Sequence, residues 1–427
     1  MQVEVVLLEK ARAAADNGDW ERAEKLAEES VHRICDRLHL GKWSDVDIEW
    51  RQRFACACEL LATSYLHKPV VDDLSRSHHL AAAIEILDTG LLMAGPYGRQ
   101  LHAIMATVVA EMNTASSLVA DNSPPIKKQK TEIGVPSSPI PPHLTPDNPL
   151  CTPLARVDAP SMNAFLTSYM HSNEPVIITG AMDQWPALGK THGGQRQWAN
   201  LNYLRQVAGR RSVPIEIGSS YLEDNWSQTL MTLDAFIDQH ILKPVTSTPP
   251  PTTTSSSSSS SNDAAAPPTG YLAQHALFEQ IPQLRSDIVI PDYCTLSVRD
   301  VCDSNDDYDE DVQDVVINAW FGPPNTISPL HFDPAQNLLC QVVGSKYVRL
   351  YAAALSDLLY PVPGLLSNTS QVQVEAPDQN VKFPKFGDAP YWEGVLGPGE
   401  MLYIPPKCWH YIRSLAVSFS VSLWWDN

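Results

Sequence analysis

Residues 317–350 have the sequence INAWFGPPNTISPLHFDPAQNLLCQVVGSKYVRL, and residues 404–414 add IPPKCWHYIRS. The first stretch contains His331 and Asp333, and the second contains His410. Successive side chains of an extended strand alternate between its two faces, so His331 and Asp333 are expected to project from the same face. With a second histidine on a neighbouring strand they would form a 2-His-1-carboxylate triad, the ligand set that leaves positions open on Fe(II) for oxygen chemistry.

The segments around this stretch have the composition of short β-strands. They are rich in β-branched and aromatic residues, and Gly/Pro turns rather than amphipathic helices separate them. This pattern predicts a jelly roll or sandwich with the triad at its mouth, as in cupin-type metal sites. In the last strand every second residue from Val417 to Leu423 is apolar and serines stand between them, as in a half-buried strand. The other predicted strands are Val316–Trp320, Asn337–Val343, Tyr347–Tyr351, Met401–Ile404 and Trp409–Ile412.

The whole chain is predicted to be an α+β protein with two domains. Residues 1–115 form an all-α N-terminal domain, and residues 116–154 are a Pro- and Ser-rich linker that cannot bury a core. Residues 155–427 form the C-terminal domain, a double-stranded β-helix of the cupin type. A low-complexity insertion at 244–269 and an acidic loop at 303–314 interrupt it as solvated surface segments.

The helical N-terminal domain carries no catalytic motif. Its apolar residues recur at a spacing of three and four among Glu, Lys and Arg, and Asp19 is predicted to be a helix N-cap. A module for protein interaction and an inert structural appendage are both consistent with this pattern.

Composition and charge restrict the partners and the compartment. The formal net charge of −19 disfavours direct nucleic-acid binding, because phosphate contacts need a basic surface. An acidic surface instead suits a basic protein or peptide. The eight cysteines include no CxxC pair, which disfavours zinc fingers and favours buried thiols in a reducing compartment. Without a signal peptide or an apolar run near the roughly 20 residues of a membrane helix, we expect a soluble intracellular protein that does not enter membranes.

Lys127, Lys128 and Lys130 form a small basic cluster in the linker. Such a cluster is typical of a nuclear import signal, and equally of solvated linker charges. We therefore expect the protein in the nucleus and also in the cytoplasm.

Residues near the triad indicate a second ligand. One HxD motif is expected by chance in a chain with 13 histidines. The prediction of a metal site therefore depends on the side chains around it. 2-Oxoglutarate chelates iron through its keto-acid end, and its distal carboxylate then needs a cation and hydroxyl donors. Lys346 can supply a point charge and Ser328 a hydroxyl, with Tyr271 as a further donor. A lysine buried on an apolar strand without a partner would be costly, and a surface lysine whose stem covers apolar residues is the alternative.

Several longer segments of the C-terminal domain match a known family. They are WSQTLMT (226–232), GYLAQH (270–275), IPDYC (290–294), INAWFGPPNTISPLHFDPAQN (317–337), FPKFGDAPY (383–391) and SFSVSLWW (418–425). On these segments the sequence from about residue 155 onward resembles the Jumonji-C (JmjC) family of iron- and 2-oxoglutarate-dependent oxygenases. Within the family it is most similar to the branch described as arginyl hydroxylases, lysine demethylases and histone-tail peptidases. The insertion at 244–269 and the enlarged loop at 303–314 depart from the family without breaking a motif.

The resemblance implies roles for individual residues. His331, Asp333 and His410 are implied to be the iron ligands and the catalytic centre. Glu216 and Trp320 are implied to line the substrate pocket. The side chains implied to contact 2-oxoglutarate are Tyr271, Gln274, Ser328, Asn337, Lys346 and Trp424.

Together with Glu216, the resemblance favours hydroxylation of arginine side chains in proteins, with O2 consumed and 2-oxoglutarate decarboxylated to succinate. A carboxylate can bind a guanidinium group through both of its oxygens. Demethylation of histone methyl-lysine uses the same cofactors and stays open, as does metal-dependent hydrolysis of histone tails that contain methylarginine. A pseudo-enzyme scaffold is the non-enzymatic alternative, and a cupin enzyme without 2-oxoglutarate would have no use for Lys346. Basic proteins, among them histone tails and ribosomal or chromatin proteins, are the expected substrates.

Overall fold

A computed structural model of the chain describes residues 3–40, 45–120, 148–218, 226–242, 269–298 and 315–426. These residues form two compact units, one helical and one dominated by β-strands, and the helical unit also includes Ala208–Ser212. The predictions for the lysines at 127–130, for the acidic loop at 303–314 and for the insertion at 244–269 apart from Thr269 lie outside the described residues.

The helical unit is built from helices that pack on their neighbours in sequence. Each of the second, third and fourth helices begins after an aspartate whose carboxylate accepts a backbone N–H, namely Asp19, Asp47 and Asp72. Such N-caps contribute about 1 kcal/mol each to helix stability. The predicted cap at Asp19 is confirmed. The helices are α1 Val3–Asp16, α2 Trp20–Leu38, α3 Ile48–Leu66, α4 Asp73–Ala94 and α5 Leu101–Ala120, with a 3-10 turn at Gly95–Gly98.

Helix α4 is the core helix of this unit. Leu80, Ile84 and Leu87 are buried in it, together with side chains of α3 and α5. By length and composition alone, residues 73–98 would be long and apolar enough to cross a membrane. The buried apolar residues of this segment pack against the neighbouring helices.

The second unit contains two β-sheets. One has five strands in the order β1-β11-β10-β13-β8, and the other has nine in the order β2-β3-β12-β9-β14-β7-β6-β4-β5. The first seven strands are β1 Cys151–Pro153, β2 Arg156–Asp158, β3 Val176–Thr179, β4 Ser212–Ile217, β5 Ser227–Thr232, β6 Gly270–His275 and β7 Val316–Gly322. The others are β8 Ile327–His331, β9 Gln336–Val343, β10 Lys346–Tyr351, β11 Tyr391–Leu396, β12 Met401–Ile404, β13 Trp409–Ser414 and β14 Ser418–Trp425.

Short helical segments connect the strands. The α-helices are α6 Met162–Phe165, α7 Leu201–Ala208, α8 Leu233–Phe236, α9 Leu277–Gln280, α10 Pro282–Arg285 and α11 Gln379–Lys382. Single π-turns continue two of them, at Leu166–Met170 and Ile237–Ile241. The 3-10 turns are Pro186–Leu188, His192–Gly194, Asp292–Thr295, Ala353–Leu358 and Pro384–Asp388.

The two sheets enclose an apolar core between their facing sides. Ile177, Leu339 and Leu402 of the large sheet pack with Val348 and Leu350 of the small sheet in one buried cluster. Burial of each such side chain contributes roughly 1.5–3 kcal/mol to stability. The predicted fold, a cupin-type double-stranded β-helix after a helical N-terminal part, is confirmed by this arrangement.

Strand β14 differs from its prediction in one respect. Its apolar and serine positions do alternate, but both faces are buried: Val421 is 0% and Ser422 is 1% exposed. The serine face is directed to polar partners inside the fold, since Ser420 donates a hydrogen bond to Gln341 and Ser422 accepts one from Trp320. The strand was predicted to be half-buried because alternation of polarity alone does not distinguish solvent from a polar interior.

Candidate metal centre and active site

The three predicted metal ligands lie together on two neighbouring strands. His331 ends β8 and stands directly opposite His410 of β13 in the antiparallel pairing. One ligand atom from each of His331, Asp333 and His410 lies within 4.8 Å of the others, and His410 Nε2 is 3.6 Å from Asp333 Oδ2. Because metal–ligand bonds of about 2 Å place ligand atoms roughly 3 Å apart, small side-chain shifts suffice to close the triad on an ion.

Asp333 reaches the site in a different way from the one predicted. Strand β8 stops at His331, so Asp333 follows the strand instead of sharing one of its faces. The backbone N–H of Lys407 donates a 2.7 Å hydrogen bond to the Asp333 carbonyl. Lys407 adopts a left-handed conformation (φ 60°) in the turn just before His410. The turn that leads into one ligand therefore also fixes the backbone of another.

Both histidines have Nδ1 held by a backbone carbonyl, which leaves Nε2 as the nitrogen available to a metal. His331 Nδ1 is 2.7 Å from the Pro329 carbonyl oxygen, and His410 Nδ1 is 3.0 Å from the Cys408 carbonyl oxygen. A carbonyl can only accept, so each Nδ1 carries a hydrogen, and Nε2 is the nitrogen whose lone pair a neutral imidazole would offer to a metal. Burial, with a smaller contribution from the neighbouring His331, lowers the pKa of His410 to about 4, so this imidazole is neutral at physiological pH. A set of two imidazoles and one carboxylate fits Fe(II) with open positions.

A pocket extends from the triad between the two sheets and has a volume of about 320 Å³ including its mouth. Its walls combine apolar and polar side chains, as in other small-molecule sites. The lining residues are Trp320, Ser328, His331, Asp333, Asn337, Leu339, Lys346, His410, Ile412, Ser422 and Trp424.

Lys346 is the cation of this pocket and is 2% exposed. Its Nζ lies 3.3 Å from the Tyr271 hydroxyl, and no carboxylate of the described residues lies within ion-pair distance. Burial lowers the pKa of Lys346 to about 7. A buried ammonium without a counter-charge destabilises the fold. Its presence therefore indicates a group whose role is to bind an anionic ligand.

Other polar groups in the pocket also lack partners within the part of the chain that the structure describes. Asn337 Oδ1 and Trp424 Nε1 are buried and have no hydrogen-bond partner among the described residues. Ser328 hydrogen bonds to the Tyr271 phenol, whose pKa is raised by burial, so Tyr271 stays a neutral donor. Two orphaned polar atoms and an unpaired cation beside the triad fit a dicarboxylate such as 2-oxoglutarate.

Glu216 lies near this pocket on the next strand outward. It stands directly opposite Tyr271 in the pairing of β4 with β6, so both side chains are on one face of the sheet. Burial raises the pKa of Glu216. The Trp226 indole N–H donates a 3.3 Å hydrogen bond to Glu216 Oε2. The ring of Trp320 lies 6.1 Å from that of Tyr271.

Sequence analysis and structure differ at the margins of the site. Gln274 is exposed at φ 46° and does not belong to the pocket lining, so its role as a cofactor contact stays a prediction. Ser422 and Ile412 line the pocket but were not singled out. Trp226 was quoted only as part of a matching segment. The polar position of Ser422 between two apolar residues was the one local signal that could have found it.

The fold and the triad define a cupin-type oxygenase with a non-haem metal centre. A family model described as a cupin-like domain matches residues 162–427, which is more than half of the chain. The chain belongs to this family of cupin-like JmjC domains, as its sequence resemblance implied. It is therefore a 2-oxoglutarate-dependent dioxygenase that uses Fe(II), for which the ligand set and the pocket are suited.

Relatives match nearly the whole chain. The lysine-specific demethylase 8 of Danio rerio is 40% identical over 393 residues, which cover 92% of this chain and 84% of the relative. The lysine-specific demethylase JMJ30 of Arabidopsis thaliana is 35% identical over 94% of this chain and 86% of its own length. The Jumonji C domain-containing protein 5 of Drosophila melanogaster is 35% identical over 98% of this chain and 90% of its own length.

Proposed function

We propose that this protein oxidises a C–H bond on a basic side chain of a protein substrate. The observation that carries the proposal is the unpaired, buried Lys346 beside the triad, with Glu216 as a carboxylate near the same pocket. Bound iron and 2-oxoglutarate supply the oxidising chemistry, in which one atom of O2 enters succinate and the other enters the substrate. Lys346, Tyr271 and Ser328 would hold the distal carboxylate of 2-oxoglutarate.

The protein contributes position and exclusion of water. His331 and His410 are held by backbone carbonyls in the tautomer that binds metal, and Asp333 is held by the turn before His410. Such prior orientation removes much of the entropic cost of bringing the reactants together. Glu216 would attract the cationic end of the substrate to the side of the pocket where Tyr271 lies.

Methyl-lysine is the target that the relatives favour, because two of them are named lysine-specific demethylases. Oxidation of an N-methyl group gives an unstable hydroxymethyl amine, which loses formaldehyde and leaves the lysine one methyl group shorter. Glu216 would balance the charge of the methylammonium group.

Unmodified arginine is the second candidate, and the chemistry of Glu216 supports it. A carboxylate can accept two parallel hydrogen bonds from a guanidinium group, and Trp226 occupies Glu216 Oε2 through one bond that the substrate can displace. The product would keep the added oxygen. Hydrolysis of methylarginine-containing histone tails ranks third, because the metal would have to activate water without a separate general base identified in the pocket. A scaffold without activity has no use for Lys346 and the triad together.

We further propose basic proteins as partners, with histone tails and ribosomal or chromatin proteins as the first to test. The relatives named as lysine-specific demethylases support a nuclear role, and a cytoplasmic pool remains part of the proposal.

The test is turnover of peptides by the full-length protein with Fe(II), ascorbate and 2-oxoglutarate. Matched peptides carry arginine, or mono-, di- or trimethyl-lysine, at one central position. Loss of 14 Da on methyl-lysine, with formaldehyde and succinate formed in equal amounts, identifies demethylation, and a retained gain of 16 Da on arginine identifies hydroxylation. His331→Ala is the inactive control. Peptide cleavage, or no succinate above that control with any peptide, would contradict the proposal.

A further inference from the structure

Strand β5 (Ser227–Thr232) is the outermost strand of the nine-stranded sheet. Five of its six residues are exposed, including Leu230, which is 54% exposed. The side chains of 227–231 make no hydrogen bond or ion pair with other described residues. Because only one neighbour pairs with it, alternate backbone N–H and C=O groups along β5 face outward.

The sequence of β5 lacks the features that usually prevent pairing at a sheet edge. Proteins protect exposed edges with lysine and other charges, with proline, or with bulges. The segment SQTLMT contains neither a charged residue nor a proline. The strand at the opposite edge of the same sheet, β2 (Arg156–Asp158), begins and ends on a charged residue. Charged residues thus protect the edge at β2, and within the described part of the chain no further strand pairs with the edge at β5.

The edge at β5 is continuous with the substrate side of the pocket. Trp226, the residue before β5, contacts Glu216 on the adjacent strand β4. Glu216 stands opposite Tyr271, whose hydroxyl touches Lys346 in the pocket. A peptide on this edge would lie three strand spacings of about 4.8 Å, roughly 14 Å, from β6. At about 3.3 Å per residue, this distance corresponds to four or five residues of extended chain.

We propose that β5 binds an extended segment of the protein substrate by strand addition, four or five residues away from the residue that is oxidised. This inference rests on the proposed function. Backbone pairing gives affinity without demanding particular side chains, so the edge provides anchorage and Glu216 provides selection for a cation. A substrate with basic residues suits both Glu216 and the net charge of −19.

The first experiment measures backbone amide exchange of the full-length protein. The probe is the best-oxidised peptide of the panel, extended to seven residues on either side of the target and added with Fe(II) and 2-oxoglutarate under argon. We expect exchange in 227–232 to slow at least tenfold, while 156–158 at the other edge of the sheet is unchanged. Protection at both edges, or at neither, would overturn the proposal. Protection that appears without peptide and rises with protein concentration would assign the edge to a second copy and overturn it equally.

The second experiment leaves the protein unaltered and changes the peptide. Each backbone nitrogen on either side of the target is methylated in turn, which removes one donor and prevents pairing at that position. We expect KM to rise about tenfold at alternate positions on one side, centred four or five residues from the target, with kcat nearly unchanged. If the peptides are still oxidised but KM rises equally at every position, or at none, strand addition is refuted and the proposed function is unaffected. If no peptide is oxidised, both proposals fail.

Discussion

Strand β10 carries two buried cations, one on each face, and the structure treats them in opposite ways. Arg349 is 9% exposed and stands opposite Glu393 in the pairing with β11. Its guanidinium lies 3.4 Å from Glu393 and donates to the Tyr347 hydroxyl, which in turn donates to Glu393. Lys346, on the other face, donates a hydrogen bond to the Tyr271 hydroxyl and lies 5.9 Å from the centre of the Trp320 ring, without a carboxylate partner among the described residues.

The contrast indicates that Arg349 has a structural role and Lys346 a functional one. Arg349 and Glu393 compensate each other, and their hydrogen bonds are satisfied within the protein. The charge of Lys346 is compensated only when an anion enters the pocket. Its burial therefore lowers the stability of the unliganded protein. Burial alone would have classed the two residues together, and the partners distinguish them.

The largest effect is expected from Arg349→Met. It leaves Glu393 buried without its cation, and loss of one partner of a buried pair costs about 3–5 kcal/mol of unfolding free energy. Urea unfolding monitored by fluorescence measures it. Affinity of the remaining folded protein for 2-oxoglutarate should match the wild type, because Arg349 faces away from the pocket. If Arg349→Met weakens cofactor binding as strongly as a change at Lys346 does, the two faces are not separate.

The reciprocal variant, Lys346→Met, should leave the fold as stable as the wild type or more stable. It removes an uncompensated buried ammonium and keeps the apolar stem. We expect 2-oxoglutarate affinity to fall about 100-fold, or roughly 2.7 kcal/mol, since a charge-assisted hydrogen bond is lost along with the ion pair. Calorimetry at pH 6.5 gives both the affinity and the heat. Loss of unfolding free energy in this variant would show that Lys346 is structural after all.

The third prediction concerns pH, since burial lowers the pKa of Lys346 to about 7. A bound carboxylate favours the ammonium form, so its pKa rises when 2-oxoglutarate binds. Affinity should therefore be constant below about pH 7 and fall by up to tenfold per pH unit above it, with proton uptake on binding. Calorimetry at pH 8 in buffers of different ionisation enthalpy detects that proton. Lys346→Met should take up none, and a wild type that takes up none would contradict the prediction.

The smallest effect is expected at Glu216, which is outside the cofactor pocket. Glu216→Gln keeps the size and removes the charge, so the KM for a basic peptide should rise about tenfold, or roughly 1.4 kcal/mol. The affinity for 2-oxoglutarate, measured without peptide, should stay within twofold. An unchanged KM would remove Glu216 from substrate recognition and weaken the case for arginine in particular.

Local sequence carried much of the information about the fold and the site. The alternating strands and their turns are encoded by neighbouring residues, and Met401–Ile404 was predicted with the bounds that the structure has. The residues of the triad and Lys346 could be singled out because donor chemistry at short spacings is visible along the chain.

Features that depend on distant pairing could not be predicted in the same way. Opposition of Arg349 to Glu393 follows from the register of two strands some forty residues apart, which no local pattern fixes. The backbone of Asp333 is held by a hydrogen bond from Lys407, which lies far away in sequence, and the burial of Ser422 depends on what lies over β14. At Gln274 a left-handed backbone conformation directs the side chain to the outside, contrary to the alternation expected of a strand.

The opposition of His331 and His410 also has a mechanical consequence. Strand β8 is the last strand of the five-stranded sheet and pairs along its length with β13, while an isolated β-bridge joins His331 to Thr369 on its other side. A metal bound by His331 and His410 would join these strands by coordination as well as by hydrogen bonds, and would close a long loop of chain between them. The bound ion would then stabilise the pairing of β8 with β13. The ligand bonds that position it for catalysis would therefore also stabilise the mouth of the pocket.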